Sequence, residues 1–576
     1  MAMIADDVGT LHDDQSPAVT GITSWVTTAV VMALVAALYS LFWTEGIHGF
    51  HALVGADHVF RGDVPYRDFW TMYFPGHFYL LAGLFALFGK HVLVSAISAT
   101  LISALAAGAV HRLGLLLTGR RLPAVALSGL FVAALFYSGY FRSLGTYPPA
   151  ITCVAFAMVA FVHALRDKNG RGWAWAGALA GLAALFKHDV GAYAFASMIV
   201  GLLMHQILAE APVGGRFPGT VRRFGVCAVM AGIPVIAIVV LLAPFAGPEM
   251  FEQTIRFPAF DFKYTRGENY PRWLPKGVWN PGLSLRQRAT LMGVYVSFAW
   301  PMLVWAGGLL VTCYAAWRRD ARHAPLGAAF ATGWLLHHVA SHVQVNTHIV
   351  SLNLYAAALA AVAVEAVCAR LSKSSRHRLV GGALVVSLFW IGSLALKPAD
   401  NLRWRLRSRA ERVKLDGKTT SGLYSWPSHA WTIGRLRQLV EEHVPPKEAI
   451  FVGEHRHDVL VTGKSYLYFA LDRPVVGRFF ELHPGVVDTA PAQREIISEL
   501  EQRQTPLIIL GRSVENDVLD RLLETHRKNL PAVGATDLDD YIGQHYDLLE
   551  RVDPFQVLLR RSSTGVSKTP SSRGTE

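Results

Sequence analysis

"WTEGIHGFHALVGADHVFRGDVPYRDFW", residues 43–70, follows directly on the apolar run Trp25–Trp43. It holds Glu45, His48, His51, Asp57, His58, Asp63, Arg67 and Asp68, with aromatic residues between them. An apolar run of about 20 residues crosses a bilayer, so this stretch begins where a first span leaves the hydrocarbon. Ionisable groups at such a boundary are costly unless hydrated or partnered, and they often mark functional sites. Glu45 closes the span, where partial desolvation suits a general base. The turn at Gly62-Asp63 leads to Tyr66, Arg67 and Asp68, which join a cation suited to phosphate with a second carboxylate. The competing reading is a solvated loop with surface helices.

The surrounding chain is that of a membrane protein. Its 576 residues are 52% hydrophobic and 17% charged, with mean hydropathy +0.31, too apolar for an ordinary soluble protein. Apolar blocks at 25–43, 92–111, 122–140, 148–165, 172–186, 190–208, 224–245, 291–316, 325–340, 349–368 and 379–396 read as 11 spans. "PGHFYLLAGLFALFG", residues 75–89, is short for a span and ambiguous by length alone; the alternation of basic loops requires that it not cross, as an in-plane juxtamembrane helix. The net charge of +12 collects in alternate short loops. These are Arg112/Arg120/Arg121, Arg166/Lys168/Arg171, Arg216/Arg222/Arg223, Arg318/Arg319/Arg322 and Arg370/Lys373/Arg376/Arg378. That is the positive-inside pattern, and it removes nucleic acid as a partner. It places the N-terminal tail, residues 1–24, in the cytoplasm, although that tail carries no Lys or Arg. The tail also lacks the basic region of a cleaved signal peptide, so the first span reads as an uncleaved anchor. The opening stretch, the turn at Lys187, loop 246–290 and the C-terminal region then face outward. Cys153, Cys227, Cys313 and Cys368 all sit in apolar blocks without metal or disulfide spacing and read as small core residues.

After "RWRLRSRAERVK" (403–414) the composition becomes that of a soluble domain. "AIFVGE" (449–454), "PVVGRFF" (474–480), "PLIILG" (506–511) and "FQVLLRR" (555–561) read as strands. "SHAWTIGRLRQLVEEH" (428–443) and "PAQREIISELEQRQ" (491–504) read as helices. Residues 400–561 are therefore expected to form a small extracytoplasmic α/β domain. "GEHRHDVL" reads as a solvated turn, and 562–576 as a disordered tail.

Taken in order, the span ending in Glu45, "RGDVPYRDF", the proline-bearing juxtamembrane helix ending in Phe88-Gly89, and a helix into a basic loop carry a resemblance. With "LAALFKHDVGAYAFAS" (182–197) and "HIVSLNLYAAALA" (348–360), they resemble the GT-C membrane glycosyltransferases. The matching branch is the bacterial one related to protein O-mannosyltransferases and the lipid A aminoarabinose transferase. The resemblance implies an α-helical polytopic GT-C-like module over 25–396, with outer loops 44–91 and 246–290. It implies a hexosyl or pentosyl transferase of the bacterial inner membrane, working among membrane lipids. The sugar comes from a polyprenyl-phosphate donor and passes, with inversion, to an envelope glycan, lipid or protein acceptor on the outer face. No cofactor is implied, and a divalent cation is left open. The acid ending the first helix, Glu45, would be the catalytic base. This chain has Thr44-Glu45 where the family often has adjacent acids, and Pro75-Gly76 where it often has Pro-Pro. Both departures leave Asp68 open as base or orienting partner.

The chemistry asks for fixed cations against a departing phosphate, and Arg67, Lys187 and His348 are the candidates. His188, Asp189, Arg256 and Arg266 are candidate cavity residues. No metal is assigned. The plainer readings are a snorkelling interfacial lysine for Lys187, a helix-end histidine for His348, and a helix start for His188-Asp189. His337, His338 and His342 read as packing or cavity-lining residues. Three other functions compete. An outer polysaccharide polymerase or ligase with a lipid-diphosphate donor would use Arg256, Lys263, Arg266 and Arg272. A transporter would show repeat symmetry and ionisable groups at span midpoints. A non-catalytic membrane scaffold is the third.

Overall fold

The computed structural model describes residues 21–44, 46–166, 171–208, 217–261, 279–341, 345–458, 464–511 and 534–561. The apolar blocks become long helices, because a backbone without water must satisfy its own hydrogen bonds. In chain order these are α1 (Ile22–Ser40), the short α2 (Phe50–Arg61) and α3 (Gly76–Phe88), α4 (Val92–Thr118), α5 (Arg121–Ser138), α6 (Tyr147–Arg166) and α7 (Arg171–Phe186). There follow α8 (His188–Leu208), α9 (Phe217–Phe251), α10 (Leu285–Trp317), α11 (Ala324–Ser341), α12 (Val345–Cys368) and α13 (Lys373–Arg407). Among the described residues, nine helices are long and apolar enough to cross a membrane by length and composition. All 11 expected blocks are helical. The two outside that set are α7, with 16 residues, and α11, with 18 residues ending near His337 and His338.

The helices pack through small residues, as membrane bundles do. A Cβ on Gly181 of α7 would lie 2.1 Å from the Ala231 carbonyl oxygen of α9, so these backbones touch. Trp173, Trp334, Tyr39, Tyr147 and Tyr355 fill the fully buried core. Outward-facing side chains such as Val240 and Val385 remain 66% and 67% exposed, as a lipid-facing surface requires. Two expectations need correction. Residues 246–261, expected as loop, are helical: the chain breaks at Ala246 between Pro244 and Pro248, then winds as a π-helical segment, Glu252–Asp261. Proline removes a backbone donor and disturbs the preceding turn without ending the helix. Cys313 lies exposed on the bundle surface, not in the core.

One end of the bundle carries the basic loops, where Arg370 pairs with Asp320 at 3.5 Å and Arg120 faces Glu365 at 4.0 Å. The other end carries α2, α3 and the C-terminal unit. That unit holds β1 (Val413–Lys414), β2 (Tyr424–Ser425), α14 (Pro427–His443), β3 (Phe451–Glu454), α15 (Tyr466–Ala470), α16 (Ala490–Gln502), β4 (Leu507–Gly511), α17 (Asp537–His545), β5 (Tyr546–Val552) and β6 (Phe555–Arg560). Its sheet runs β3-β4-β6-β5, parallel between β3 and β4 and antiparallel elsewhere. Three expected strands and both expected helices form. Residues 474–480 do not form a strand. Val475 makes one isolated bridge with Ile450, and Gly477 at φ +68° then turns the chain away.

The C-terminal unit docks on the α2–α3 region through the backbone. Tyr424 N donates to Thr44 O at 2.7 Å, Trp70 N to Arg478 O at 2.9 Å and Val92 N to Thr419 O at 3.0 Å. Lys90 Nζ bridges Asp57 Oδ1 and Asp472 Oδ1, each at 2.7 Å. Burial opposes ionisation of Asp472, but the hydrogen bond and charge of Lys90 outweigh it and hold the carboxyl below its ordinary value. A depressed carboxyl stabilises the docked form above its unfolded pKa, and that contribution fades as pH falls through the folded value. Docking is therefore expected to loosen below about pH 4. Lys90→Ala should cost about 1.5–3 kcal/mol, the worth of hydrogen bonds to charged groups. Arg61, 3.0 Å from Asp57, remains to face that carboxylate. Limited proteolysis of the C-terminal unit across a pH series checks both; wild-type resistance in Lys90→Ala would remove the bridge from the account.

Candidate active site

Helices α7 and α8 meet at Lys187. Lys187 N still donates to Ala183 O, and Gly191 N to Lys187 O, so the turn is tight and the side chain is held at the junction. Asp189 occupies the first turn of α8, where a carboxylate favours the positive end of the helix. Its Oδ1 accepts from Val190 N at 2.8 Å, and its Oδ2 accepts from Lys187 Nζ at 2.9 Å. Lys187 is only 4% exposed, and that bond uses one of its three ammonium protons. Gly76 makes the close approach here: a Cβ on it would lie 2.6 Å from Leu185 O. The Pro-Gly start of α3 therefore seats that helix against the Lys187 turn.

His348, in the first turn of α12, completes the cluster. Its Nε2 lies 3.7 Å from Asp189 Oδ2, and its Nδ1 lies 3.1 Å from Nδ1 of His337, at the end of α11. A contact between two ring nitrogens needs one donor and one acceptor, so the pair fixes each other's tautomer. Both histidines are buried. Tyr193 and Tyr355 flank His337, with ring centroids 5.1 and 5.5 Å away.

Lys187, His188, Asp189 and His348 all line one cavity of about 820 Å³. Most of its remaining wall is small and apolar, including Ala180, Gly181, Ala184, Ala228, Ala231 and Gly232. Four of the expected site residues are thus brought together, across 161 positions of sequence. His337, read as packing, gains a defined partner that no local pattern announces.

The other candidates are placed elsewhere. Arg67 and Asp68 do not line this cavity. Arg67 holds Asp68 with two hydrogen bonds, of 2.8 and 2.6 Å, and Asp68 also accepts from Val64 N at 2.7 Å. The bond from Arg67 keeps the Asp68 carboxyl below its ordinary value despite partial burial. Arg256 pairs with Glu252 outside the cavity. His338 stacks on Trp334 at 4.7 Å. Glu45, Arg266 and His342 lie outside the described residues. The His51 ring lies 5.4 Å from the ring of Tyr73, which lines the cavity. Sequence reasoning did not single out Lys90 or Gln253. Gln253 accepts from Thr71 N and donates to Tyr66 O, pinning the π-helical segment to the 66–71 turn.

Residues 71–214 match the family described as dolichyl-phosphate-mannose-protein mannosyltransferase. No curated protein matches the chain. The crystal structure of ArnT from Cupriavidus metallidurans bound to undecaprenyl phosphate is similar at 14% identity and TM-score 0.52, over 94% of this chain and 99% of that one. The apo structure of the same protein gives 14% identity and TM-score 0.48, over 93% and 98%. The matched family covers the α3–α8 region that builds the Lys187 turn, and over nearly its whole length this polytopic membrane protein shares the fold of that undecaprenyl-phosphate-bound ArnT structure.

Proposed function

We propose that this protein is a membrane glycosyltransferase that moves a sugar from a polyprenyl-phosphate donor to an acceptor at the outer face of the cytoplasmic membrane. One observation carries the reading: Lys187, buried beside Asp189 and His348, sits in a large apolar cavity within a membrane bundle. Lys187 spends one ammonium proton on Asp189. A cavity that is apolar along most of its wall and gathers Lys187, Asp189 and His348 at one point suits a lipid chain ending in phosphate. The undecaprenyl phosphate bound in the similar ArnT structure supports the same class of ligand here.

The step balances simply. The acceptor oxygen attacks the anomeric carbon from the face opposite the phosphate, the bond from that carbon to the phosphate oxygen breaks, and the configuration inverts. Phosphate leaves with the electron pair, met by Lys187 and by the Nε2 edge of His348. Glu45 takes the acceptor's proton. Asp68 is the poorer base, because its bidentate bond to Arg67 lowers its proton affinity. Arg67 and Asp68 brace the Val64–Asp68 turn.

Binding tests the donor class. Undecaprenyl phosphate is expected to bind the purified protein far more tightly than undecaprenol, which has the same chain without the charge. Equal affinity would refute a phosphate site. Sidedness has its own test: a reporter fused near residue 420 should be active only outside, and one near residue 170 only in the cytoplasm. A cytoplasmic 420 fusion would invert the topology and the outer-face reaction with it.

A further inference from the structure

The π-helical segment Glu252–Asp261 is a wall between two cavities. Thr254, Ile255, Pro258 and Ala259 line the apolar cavity that holds Lys187. Its other face, with Glu252, Arg256 and Asp261, lines a separate cleft of about 360 Å³ with mixed charged and apolar walls. Arg478, Thr489 and Glu495 of the C-terminal unit form the opposite side of that cleft. Trp70 and Phe257 close its floor edge-to-face, with ring centroids 5.3 Å apart. The wall is held in place by the two hydrogen bonds of Gln253, which is 4% exposed.

We propose that this cleft receives the hydroxyl-rich, uncharged or cationic head of the acceptor, with the C-terminal unit as its selecting wall. The inference rests on the glycosyltransferase reading and extends it to the second substrate. The charge pattern decides the chemistry. Among the described residues lining the cleft there are three carboxylates, Glu252, Asp261 and Glu495, and two guanidiniums, Arg256 and Arg478. Both guanidiniums are already paired, Arg256 with Glu252 and Arg478 with Glu495 at 2.8 Å. The lining therefore carries a surplus negative charge, which disfavours a phosphorylated head. Carboxylates that accept from hydroxyls, guanidiniums that donate to them, and aromatic edges against C–H faces are the means by which a carbohydrate is held. The cleft adjoins the donor cavity across this one segment.

The test uses the full chain, a labelled polyprenyl-phosphate sugar and an envelope polysaccharide extract as acceptor. Thr489 is exposed on the cleft lip, so Thr489→Trp fills the space without disturbing the core. Its acceptor KM is expected to rise at least ~10-fold, the scale of one or two lost hydrogen bonds, with undecaprenyl-phosphate affinity unchanged. Glu495→Gln should move KM in the same direction. N-acetylchitotriose should compete with the acceptor, and inorganic phosphate should not. Unchanged KM in both variants, with wild-type transfer and donor binding intact, overturns the cleft and leaves the donor reading standing. Competition by phosphate alone overturns the uncharged head. A wild type that binds no undecaprenyl phosphate removes both readings together.

Discussion

Lys187→Met is expected to weaken undecaprenyl-phosphate binding and to lower turnover by about 10²–10³-fold, the usual loss for one fixed donor to developing charge in a dry site. The lysine is 4% exposed and has an acidic partner, so it is held in place rather than recruited from solvent. Its removal strands Asp189 in an apolar wall, which destabilises the bundle for a reason unrelated to the donor. The double variant Lys187→Met/Asp189→Asn separates the two effects. It should recover the melting temperature and should not recover donor binding. Lys373→Ala, exposed at the opposite end of the bundle, should leave both unchanged. Recovery of donor binding by the double variant would reduce Lys187 to a structural partner of Asp189.

Glu45→Gln is expected to lower turnover by about 10²–10⁴-fold, the range of a general base. Donor affinity should stay close to wild type, because the carboxylate acts on the acceptor hydroxyl. Asp68→Asn should have a smaller effect, through the Val64–Asp68 turn that this side chain closes. The comparison is made at matched membrane abundance. If Asp68→Asn abolishes transfer while Glu45→Gln remains active, the two acids exchange roles. If neither changes the rate, neither acid is the general base.

The helical bundle was legible because each span is encoded locally, by an unbroken apolar block between charged loops. A short helix was expected at 75–89, and α3 has 13 residues. Strand 449–454 and the helix starting at the proline before Ala492 were legible for the same reason. What failed was long-range or conformational. Strand β5 has the burial pattern of an edge, with Asp547, Leu548 and Leu549 all exposed, so no alternation marks it. At 474–480 the β-rich composition was misleading, because Gly477 turns the backbone. The Lys90–Asp472 bridge joins residues 382 apart, and nothing beside either one names the other. In the site, Lys187 and His348 were identifiable as candidates to meet a phosphate, and the structure sets both beside Asp189. Arg67 looked equivalent in sequence, yet it pairs with Asp68 at a turn that does not line the cavity. The His337–His348 contact depends on how α11 and α12 pack, which spacing alone does not encode.

The central claim is tested most directly by transfer itself. Purified protein in lipid is supplied with a panel of labelled polyprenyl-phosphate sugars and an outer-envelope acceptor fraction. The label is then followed together with the released polyprenyl phosphate. The expected result is equimolar appearance of labelled acceptor and free polyprenyl phosphate from at least one donor, with inverted linkage, lost in Lys187→Met and Glu45→Gln. Transfer from lipid-diphosphate donors alone, or movement of label across the membrane without any new glycosidic bond, would contradict it.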